Sequence, residues 1–222
     1  MKLGLITDIH ELTTSLQRAL AEAGRMGCDE IACLGDITGF DPDLYPKDPL
    51  RSASECIRLV RENCRWVVAG NHDRENPAAG RPLSESDSEY LNNLPDHVVI
   101  NPDDAFILLS HYLYPDFTGS SVSFVRRLNQ LEALNGYMHR ENIQVAFAGH
   151  DHPSGVGFGY PVPPRWNSRM RRAFHYLPFH RYELDGQRLV CLLPAVAGRS
   201  GRSGLSIWDT TNLTLDIIQS GH

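Results

Sequence analysis

The sequence lacks the long apolar runs and the leader-like start that mark membrane and secreted proteins. No stretch approaches the roughly 18 consecutive apolar residues that a helix needs to cross a bilayer. The first residues, MKLGLITDIHE, carry one lysine and too short an apolar run for a secretory signal peptide. We therefore expect a cytoplasmic protein that has no membrane partner.

Cysteine is scarce, and its pattern argues against the structural uses of this residue. The five cysteines form an odd number, and no two of them make a C-x-x-C pair. Several fall within apolar segments, which favours reduced thiols in a core over disulfides or metal ligands. The residues are Cys28, Cys33, Cys56, Cys64 and Cys191.

An excess of basic residues is also missing, since the formal net charge is -6. A dedicated nucleic-acid-binding protein is usually basic, so we do not expect a nucleic-acid partner. The mild acidity still permits a phosphorylated substrate, because a bound metal ion can reverse the local charge. With 222 residues, of which 41% are hydrophobic, the chain suits one globular domain over 1–222, and its oligomeric state is left open.

The first 95 residues alternate between segments typical of strands and segments typical of helices. Each predicted helix begins with a capping box, Thr14 with Gln17 and Ser52 with Glu55, and Gly24 marks the end of the first helix. The predicted strands are KLGLIT, EIACLGDIT and RWVVAGNHD, and the helices are TTSLQRALAEAG and SASECIRLVREN. This order predicts parallel strands that are covered by helices.

Beyond residue 95 the pattern changes to one that consists mainly of strands. One long helix is expected in SVSFVRRLNQLEALNGYMHREN, and YELDGQRLV has the Asp-Gly signature of a β-hairpin. The segment 153–177, rich in Gly, Pro and Arg, is predicted to be a long surface loop. The expected strands are HVVI, AFILLSHYL, IQVAFAGHDH, FHRYEL, RLVCLLPAV, LSIWDT and LTLDII. The whole pattern predicts an α/β fold in which two sheets pack together with helices outside them.

Five of the predicted strands end in polar residues. In open α/β sheets the carboxyl ends of the strands form the ligand-binding edge, so the fold would bring these residues together. Any one of these motifs alone is typical of a turn, a cap or a polar loop, but five in succession indicate a shared site. The strand ends are Asp8-Ile9-His10, Gly35-Asp36, Gly70-Asn71-His72-Asp73, Ser110-His111 and Gly149-His150-Asp151-His152.

The residue types and their spacing at these strand ends predict a metal centre. In an extended backbone, residues i and i+2 point the same way, so Asp8 and His10 could reach one ion. By the same alternation, His150 and His152 could reach a shared centre. Mixed imidazole and carboxylate ligands suit Mn, Fe or Zn better than Mg or Ca. The strand ends supply seven candidate ligands, namely four His, two Asp and one Asn. This number is too many for one ion and fits two ions that share Asp36.

This ordered set of motifs resembles the calcineurin-like metallophosphoesterases, from Met1 to about His152 and more weakly beyond. The stretch GDITGFDPDLYP and the tail LLPAVAGRSGRSGLSIWDTT resemble the small bacterial phosphodiesterase branch. Leu193–Val196 replaces the Asn-Pro-Gly-Ser segment that is usual there. Ile37-Thr38-Gly39 and Asp73 stand where the phosphoprotein-phosphatase branch carries Asp-Arg-Gly and Glu.

The resemblance implies a four-layer α/β/β/α sandwich with two mixed sheets and a dinuclear metal site at the strand ends. The implied cofactors are two divalent metal ions, manganese first, with iron, zinc or nickel as the other choices. Asp151 would point away and take no metal role. The first ion would be held by Asp8, His10, Asp36 and His152, and the second by Asp36, Asn71, His111 and His150.

The implied activity is hydrolysis of a phosphodiester or phosphomonoester in a small phosphorylated substrate, by attack of a hydroxide that bridges the metals. The expected catalytic residues are His72, as general acid for the leaving group, and Asp73, which could orient or charge His72. No Ser-His-Asp or Cys-His arrangement in the sequence offers a protein nucleophile instead.

Two other functions fit the same motifs: a dinucleoside polyphosphate hydrolase or nuclease, and a non-catalytic scaffold whose metals support a partner-binding surface. Several Arg and aromatic residues could contact a substrate, although they equally suit a solvated loop. They are Arg74, Tyr160, Arg165, Trp166, Arg169, Arg171 and Arg172.

Overall fold

A computed structural model describes residues 1–75, 82–119, 128–159, 173–184, 186, 188–198 and 202–220. The helices are α1 (Thr13–Arg25), α2 (Ala53–Asn63), α3 (Asn71–Glu75), α4 (Glu85–Asn92) and α5 (Leu128–Arg140). The strands of the first half are β1 (Lys2–Ile6), β2 (Glu30–Cys33), β3 (Trp66–Val67), β4 (His97–Ile100) and β5 (Phe106–Ser110). The others are β6 (Ile143–Ala148), β7 (Val156–Gly159), β8 (His175–Leu177), β9 (Arg181–Glu183), β10 (Leu189–Leu192), β11 (Gly204–Asp209) and β12 (Thr214–Gln219).

The strands form two mixed sheets of six strands each. The first sheet has the order β3-β2-β1-β11-β12-β9, and the second has the order β4-β5-β6-β10-β7-β8. Strands β1, β2 and β3 run parallel, as the alternation of strands and helices predicted, and so do β5, β6 and β10. The remaining pairs are antiparallel.

Three apolar clusters show that the sheets and helices are stacked in four layers. Between the sheets, side chains such as Leu5 from β1 and Phe147 from β6 form a common core. Helices α1 and α2 cover the outer face of the first sheet through Leu16 and Ile57, and α5 covers the second sheet through Leu131. This confirms the α/β/β/α sandwich that the motif order implied.

The two predicted helix starts have different outcomes. Ser52 caps α2 as expected, because its Oγ accepts a hydrogen bond from Glu55 N at 3.2 Å. The predicted capping box of Thr14 and Gln17 is wrong. Helix α1 begins at Thr13, and no side-chain hydrogen bond caps it from the N-cap residue Leu12. Instead the Asp48 carboxylate accepts from the backbone N–H and the hydroxyl of Thr14, both at 2.8 Å. A distant carboxylate therefore satisfies the unpaired N–H of this helix end.

Helix α4 was not predicted, although its start carries a recognisable signal. Ser84 Oγ accepts from Asp87 N at 3.1 Å, which is the N-cap arrangement. Leu91 is the buried residue within this short helix, so the sequence shows no apolar stripe of helical period.

Two predictions for the second half of the chain were wrong. The segment YELDGQRLV is not a hairpin, because β9 pairs with β12 in the first sheet and β10 lies between β6 and β7 in the second. The predicted loop 153–177 has β7 and β8 at its ends, which pair antiparallel with Val156 opposite Leu177, and residues 160–172 between them lie outside the described residues. Strand β7 was missed because its glycines are typical of a loop. A Cβ on Gly159 would lie 2.9 Å from the Phe174 ring, so close packing excludes a side chain there.

The cysteines are free thiols, in agreement with the sequence, and three of them are fully buried. Burial raises the pKa of Cys56 to about 12, so this thiol is unreactive at neutral pH. Of the helices that lie in the described ranges, none has the length and apolar character needed to span a membrane.

The glycines of the strand-end motifs allow loops from different strands to touch. A Cβ on Gly70 would lie 2.1 Å from Asp36 Oδ1, and one on Gly35 would lie 2.4 Å from the Gly70 backbone nitrogen. A Cβ on Gly149 would lie 2.1 Å from Thr7 Oγ1. Because real Cβ atoms do not approach so closely, each of these positions requires glycine for contact with a neighbouring loop.

Replacement of Gly70 tests this packing, with Gly24 as a matched control. We expect Gly70→Ala to lower the free energy of unfolding by about 1–3 kcal/mol, because the methyl group would overlap the Asp36 carboxylate. Gly24 lies within α1, where an added Cβ meets no atom within 4 Å, so Gly24→Ala should stabilise the protein by about 1 kcal/mol. Urea unfolding measures both. Equal stability of Gly70→Ala and the wild type would contradict the proposed contact.

Candidate metal centre

The site lies where the loops after five strands meet. Asp8 and His10 follow β1, Asp36 follows β2, and Asn71 begins α3 just after β3. From the second sheet, His111 directly follows β5. The His150–His152 segment follows β6 and completes the ring. The carboxyl ends of the strands in both sheets therefore converge at one edge, as the strand-end motifs predicted.

The backbone that delivers these residues is not extended. Asp8, His10, Asp36, His150 and His152 all have positive φ angles, between 46° and 68°. The alternation of side chains in a strand is therefore not what aligns them, and that part of the sequence reasoning was wrong. Hydrogen bonds between loops hold this strained backbone instead, for example Asp8 N to Gly35 O at 2.9 Å.

The side chains group into three clusters of potential ligand atoms, in each of which the atoms lie within 4.8 Å of one another. The clusters are Asp8, His10 and His152; His10, Asp36 and His72; and Asp36, His111 and His150. His150 and His152 thus belong to different clusters, in keeping with the two ligand sets that the family resemblance implied. Asp36 and His10 each belong to two clusters, and His72 lies nearer the potential ligands than the sequence suggested.

The two most buried histidines are oriented as metal ligands usually are. His10 Nδ1 donates to Gly39 O at 3.0 Å, and His111 Nδ1 donates to Leu34 O at 2.7 Å. These bonds leave Nε2 of both rings pointing into the site, where neither atom has a hydrogen-bond partner. A second bond from the ring to a backbone carbonyl is the common support of a metal-bound histidine.

Asn71 supplies a third unpartnered atom, because its buried Oδ1 makes no hydrogen bond. Buried polar atoms are rarely left unsatisfied in folded proteins. His111 Nε2 has Asp36 Oδ2 at 3.2 Å, so His10 Nε2 and Asn71 Oδ1 are the atoms that indicate a missing partner. Imidazole nitrogen, carboxylate oxygen and amide oxygen are all ligands for a divalent cation. The residues present therefore fit a metal ion.

Both buried carboxylates face several rings. Asp8 Oδ1 lies 2.8 Å from His152 Nε2, and it lies 3.9 Å from Nε2 of both His10 and His111. Asp36 Oδ2 lies 3.2 Å from His111 Nε2. Burial opposes ionisation of both acids, yet the nearby histidine charges outweigh it and lower the pKa of each carboxyl.

The histidines divide into charged and neutral rings. Burial disfavours the charged form of His111, but Asp36 and Asp8 outweigh this and raise its pKa to about 10. Burial also opposes the charge on His152, whose pKa is raised by Asp8. In His10 and His150 burial dominates and lowers the pKa to about 4 in both. Protons on two rings thus balance the carboxylates, and a bound cation would have to displace them.

Asp73 is built into the support of the site. Its carboxylate accepts from Gly70 N at 3.0 Å, and from the backbone N–H and hydroxyl of Thr38 at 3.0 and 3.1 Å. Burial and the Asp36 charge raise the pKa of Asp73 to about 6. The sequence suggested that Asp73 orients His72, whereas these bonds attach it to the loops that carry Asp36 and Asn71.

His72 lies at the mouth of the site. Its backbone N–H donates to Asp36 Oδ1 at 2.9 Å, and its ring packs edge-on against His10 at a centroid distance of 5.1 Å. Gly39 makes room for it, because a Cβ there would lie 2.4 Å from His72 Cβ. The ring therefore has a fixed place beside the potential ligands.

A pocket of about 400 Å³ opens above the clusters. Four of the site histidines line it, together with Asp36 and Asp151, and Asp151 also accepts a hydrogen bond from the Tyr176 hydroxyl. The other lining residues lie in GDITGFDPDLYP and LLPAVAGRSGRSGLSIWDTT, two stretches that carry the family resemblance but in which these positions were assigned no role. They are Leu44, Tyr45, Gly198 and Arg202.

Tyr45 forms one wall of the pocket. Its ring stacks on His10 with centroids 4.3 Å apart and planes 20° apart, and it lies 6.1 Å from the His152 ring. On the other side of the site, Tyr112 packs on His150 at 4.4 Å. Aromatic rings therefore support the imidazoles from both sides.

Of the substrate contacts suggested by the sequence, Arg74 is the one within the described residues, and it is not at the pocket. Arg74 bonds to Leu94 O at 2.8 Å and to Asp96 Oδ1 at 2.7 Å, which directs it away from the site. Tyr160, Trp166 and the four other suggested arginines lie outside the described residues.

Fold and site together define an α/β/β/α protein whose His and Asp clusters at the strand ends could hold divalent metal. Residues 1–157 match the calcineurin-like phosphoesterase superfamily domain. The chain therefore belongs to this family. The family and the Asp/His clusters together indicate binding of divalent metal.

Comparison with individual proteins agrees with this assignment. A segment of 72 residues is 39% identical to uncharacterized protein MJ0912 of Methanocaldococcus jannaschii, and it covers 32% of this chain but only 26% of that protein. A metallophosphoesterase structure from Sphaerobacter thermophilus is 21% identical, with a TM-score of 0.75 over 100% of this chain and 89% of that one. An archaeal phosphodiesterase structure is 15% identical, with a TM-score of 0.56 over 99% of both chains. At these identities the structures show a shared fold.

Divalent metal should stabilise the folded protein through the clusters. We expect added Mn²⁺ to raise the Tm by roughly 5–10 °C at a concentration about 100 times Kd, and chelation to reverse the rise. Asp36→Asn should abolish most of this shift, because Asp36 belongs to two of the three clusters. Differential scanning calorimetry with elemental analysis measures both effects.

Asp209→Asn is the matched control for this experiment. The Asp209 carboxylate accepts from Thr211 N and Asn212 N at 3.0 and 3.1 Å, in a turn that is separate from the clusters. The Asp209→Asn variant should keep the full metal-dependent rise in Tm. A shift that survives in Asp36→Asn would mean that the ion binds elsewhere.

Proposed function

We propose that the protein hydrolyses the ester bond of a small phosphorylated molecule with two divalent ions, of which manganese suits the ligand set best. The observation that carries this proposal is the convergence of buried His and Asp side chains at the strand ends, where His10 Nε2 and Asn71 Oδ1 have no hydrogen-bond partner. Such atoms are costly in a folded protein unless a ligand satisfies them. We further propose a cytoplasmic location and no nucleic-acid partner, on the grounds of charge and composition.

The side chains divide into two proposed ligand sets that share Asp36. Asp8, His10 and His152 would complete the first set, and Asn71, His111 and His150 the second. Bound divalent ions supply Lewis-acid activation of water and neutralise charge on phosphoryl oxygens. The mixed nitrogen and oxygen ligands favour Mn, with Fe, Zn or Ni as alternatives.

The chain's own contribution is to position these groups and to transfer protons. Hydrogen bonds from Gly70 and Thr38 to Asp73 fix the loops that carry Asn71 and Asp36. His72 stands at the mouth of the pocket, where its ring can protonate the leaving oxygen. We assign His72 as the general acid and Asp73 as a positioning residue.

Hydrolysis of bis(p-nitrophenyl) phosphate in the presence of Mn²⁺ tests the activity. Wild type should turn over this substrate, and chelation should stop the reaction until metal is restored. Asp36→Asn should reduce kcat/KM by about 100-fold or more, because both ligand sets lose their shared carboxylate. Asp209→Asn should remain within about twofold of wild type, since the residue lies outside the clusters. Activity that is unchanged by chelation or by Asp36→Asn would refute the metal-dependent mechanism.

Replacement of His72 tests its role as an acid. We expect His72→Ala to keep its metal content and to slow an alkyl phosphate ester by about 100-fold, because an alkoxide leaving group needs a proton. The p-nitrophenyl ester, with a stable leaving anion, should lose less than about 10-fold. His97→Ala, which removes an exposed imidazole on β4, is the control and should change neither rate.

The position of His72 beside His10 and Asp36 also gives a clear opposite outcome. The potential ligand atoms of these three residues lie within 4.8 Å of one another, which is close enough to surround an ion. If His72→Ala loses metal and slows both esters equally, His72 is a ligand and not the acid.

A further inference from the structure

Arg202 is the one cation of permanent charge among the described residues that line the metal-site pocket. Its side chain is exposed, and in the part of the chain that the structure describes no carboxylate lies within ion-pair distance of it. The pocket's imidazoles have other proposed roles, three of them as metal ligands and His72 as the general acid. A guanidinium at the rim of such a pocket, with no carboxylate of the described residues beside it, is suited to bind an anionic part of the substrate.

The backbone of Arg202 is held firmly to the site. Val196 N and Ala197 N donate to Thr7 O and Asp8 O, both at 2.9 Å, so the segment before Gly198 runs along the first ligand loop. Gly198 in turn contacts the peptide after Arg202, because a Cβ on Gly198 would lie 2.3 Å from both Arg202 C and Arg202 O.

The strand that follows completes this attachment. Ser203 Oγ donates to Gly198 O at 3.2 Å, and Gly204 N donates to Ala195 O at 3.0 Å, just where β11 begins. Arg202 therefore starts from a point on the sheet that is fixed relative to Asp8. A side chain on such a fixed support can bind a ligand selectively by its shape and charge.

We propose that Arg202 binds a phosphate oxygen beyond those held at the ions, and that the enzyme thereby prefers substrates with a second negative charge at the reacting end. This inference rests on the proposed function. A simple diester has two non-ester oxygens and one negative charge, whereas a monoester has three such oxygens and two charges. A second phosphoryl group next to the ester supplies the same chemistry. The forked guanidinium matches either source, because it can donate two parallel hydrogen bonds to neighbouring oxygens.

Binding of product-like anions tests this assignment without a need for turnover. The probes are inorganic phosphate, pyrophosphate and dimethyl phosphate, titrated calorimetrically into Mn²⁺-loaded protein. Arg202→Met should weaken phosphate or pyrophosphate binding roughly 10- to 100-fold, the loss expected for a charge-assisted hydrogen bond. Dimethyl phosphate, with one charge and two free oxygens, should be affected less than threefold. Arg202→Lys keeps the charge but loses the two parallel donors of the guanidinium. Its affinity for phosphate or pyrophosphate should lie between those of Arg202→Met and wild type.

Arg181→Met provides the matched control. Arg181 is paired with Asp216 through bonds of 2.6 and 2.7 Å, and it lines a different cleft. Its loss should leave all three affinities and the metal content unchanged.

The outcomes separate the two sources of negative charge. An effect of Arg202→Met on phosphate and pyrophosphate alike identifies the third oxygen of a monoester as the contact. An effect on pyrophosphate alone identifies a second phosphoryl group. Equal binding by Arg202→Met and wild type, or no phosphate binding by wild type at millimolar concentration, overturns the assignment. If loaded wild type binds phosphate through Arg202 but hydrolyses no ester, the proposed function fails while the binding site stands.

Discussion

The burial of the Asp36 carboxylate at the junction of three loops is the constraint on which the rest of the site depends. Gly35 and Gly70 bring two loop backbones into contact around it, and Oδ1 accepts the His72 N–H at 2.9 Å. The other oxygen faces His111 Nε2 at 3.2 Å. A buried carboxylate is tolerated only when positive charge and hydrogen bonds surround it. Protonated histidines supply this positive charge, and bound metal ions would supply it in their place.

Asp8 joins the two sheets by a similar arrangement. Its Oδ2 accepts from Thr7 Oγ1 at 2.8 Å and from His150 N at 3.0 Å, so one carboxylate of the first sheet holds the ligand loop of the second. Its Oδ1 remains directed at the imidazoles. Each proposed ligand set therefore contains groups from both sheets, and a bound ion would cross-link them. Metal binding would thereby stabilise the sandwich.

Much of the fold and the position of the site could be predicted from the sequence, because apolar runs that end in Asp, His or Asn reveal strand ends directly. The reasoning failed where tertiary contacts override local pattern. The alternation expected for Asp8 and His10 is replaced by left-handed backbone that inter-loop hydrogen bonds impose. Gly159 was interpreted as part of a loop, although it is a strand residue pressed against Phe174. Arg202 was not singled out within the tail LLPAVAGRSGRSGLSIWDTT, since its place at the pocket depends on the Gly198 contact.

The inner and outer parts of the pocket are supported in different ways. The potential ligands follow directly from strands and are fixed by backbone hydrogen bonds between loops. The wall that carries Tyr45 belongs to a connection attached at a few side-chain points, among them Glu11 to Phe40 N at 3.2 Å and Asp48 to Thr14. Changes in that connection would alter the shape of the pocket without moving the carboxylates. The shape of this wall and the positions of the carboxylates therefore depend on separate parts of the chain, so one can change without the other.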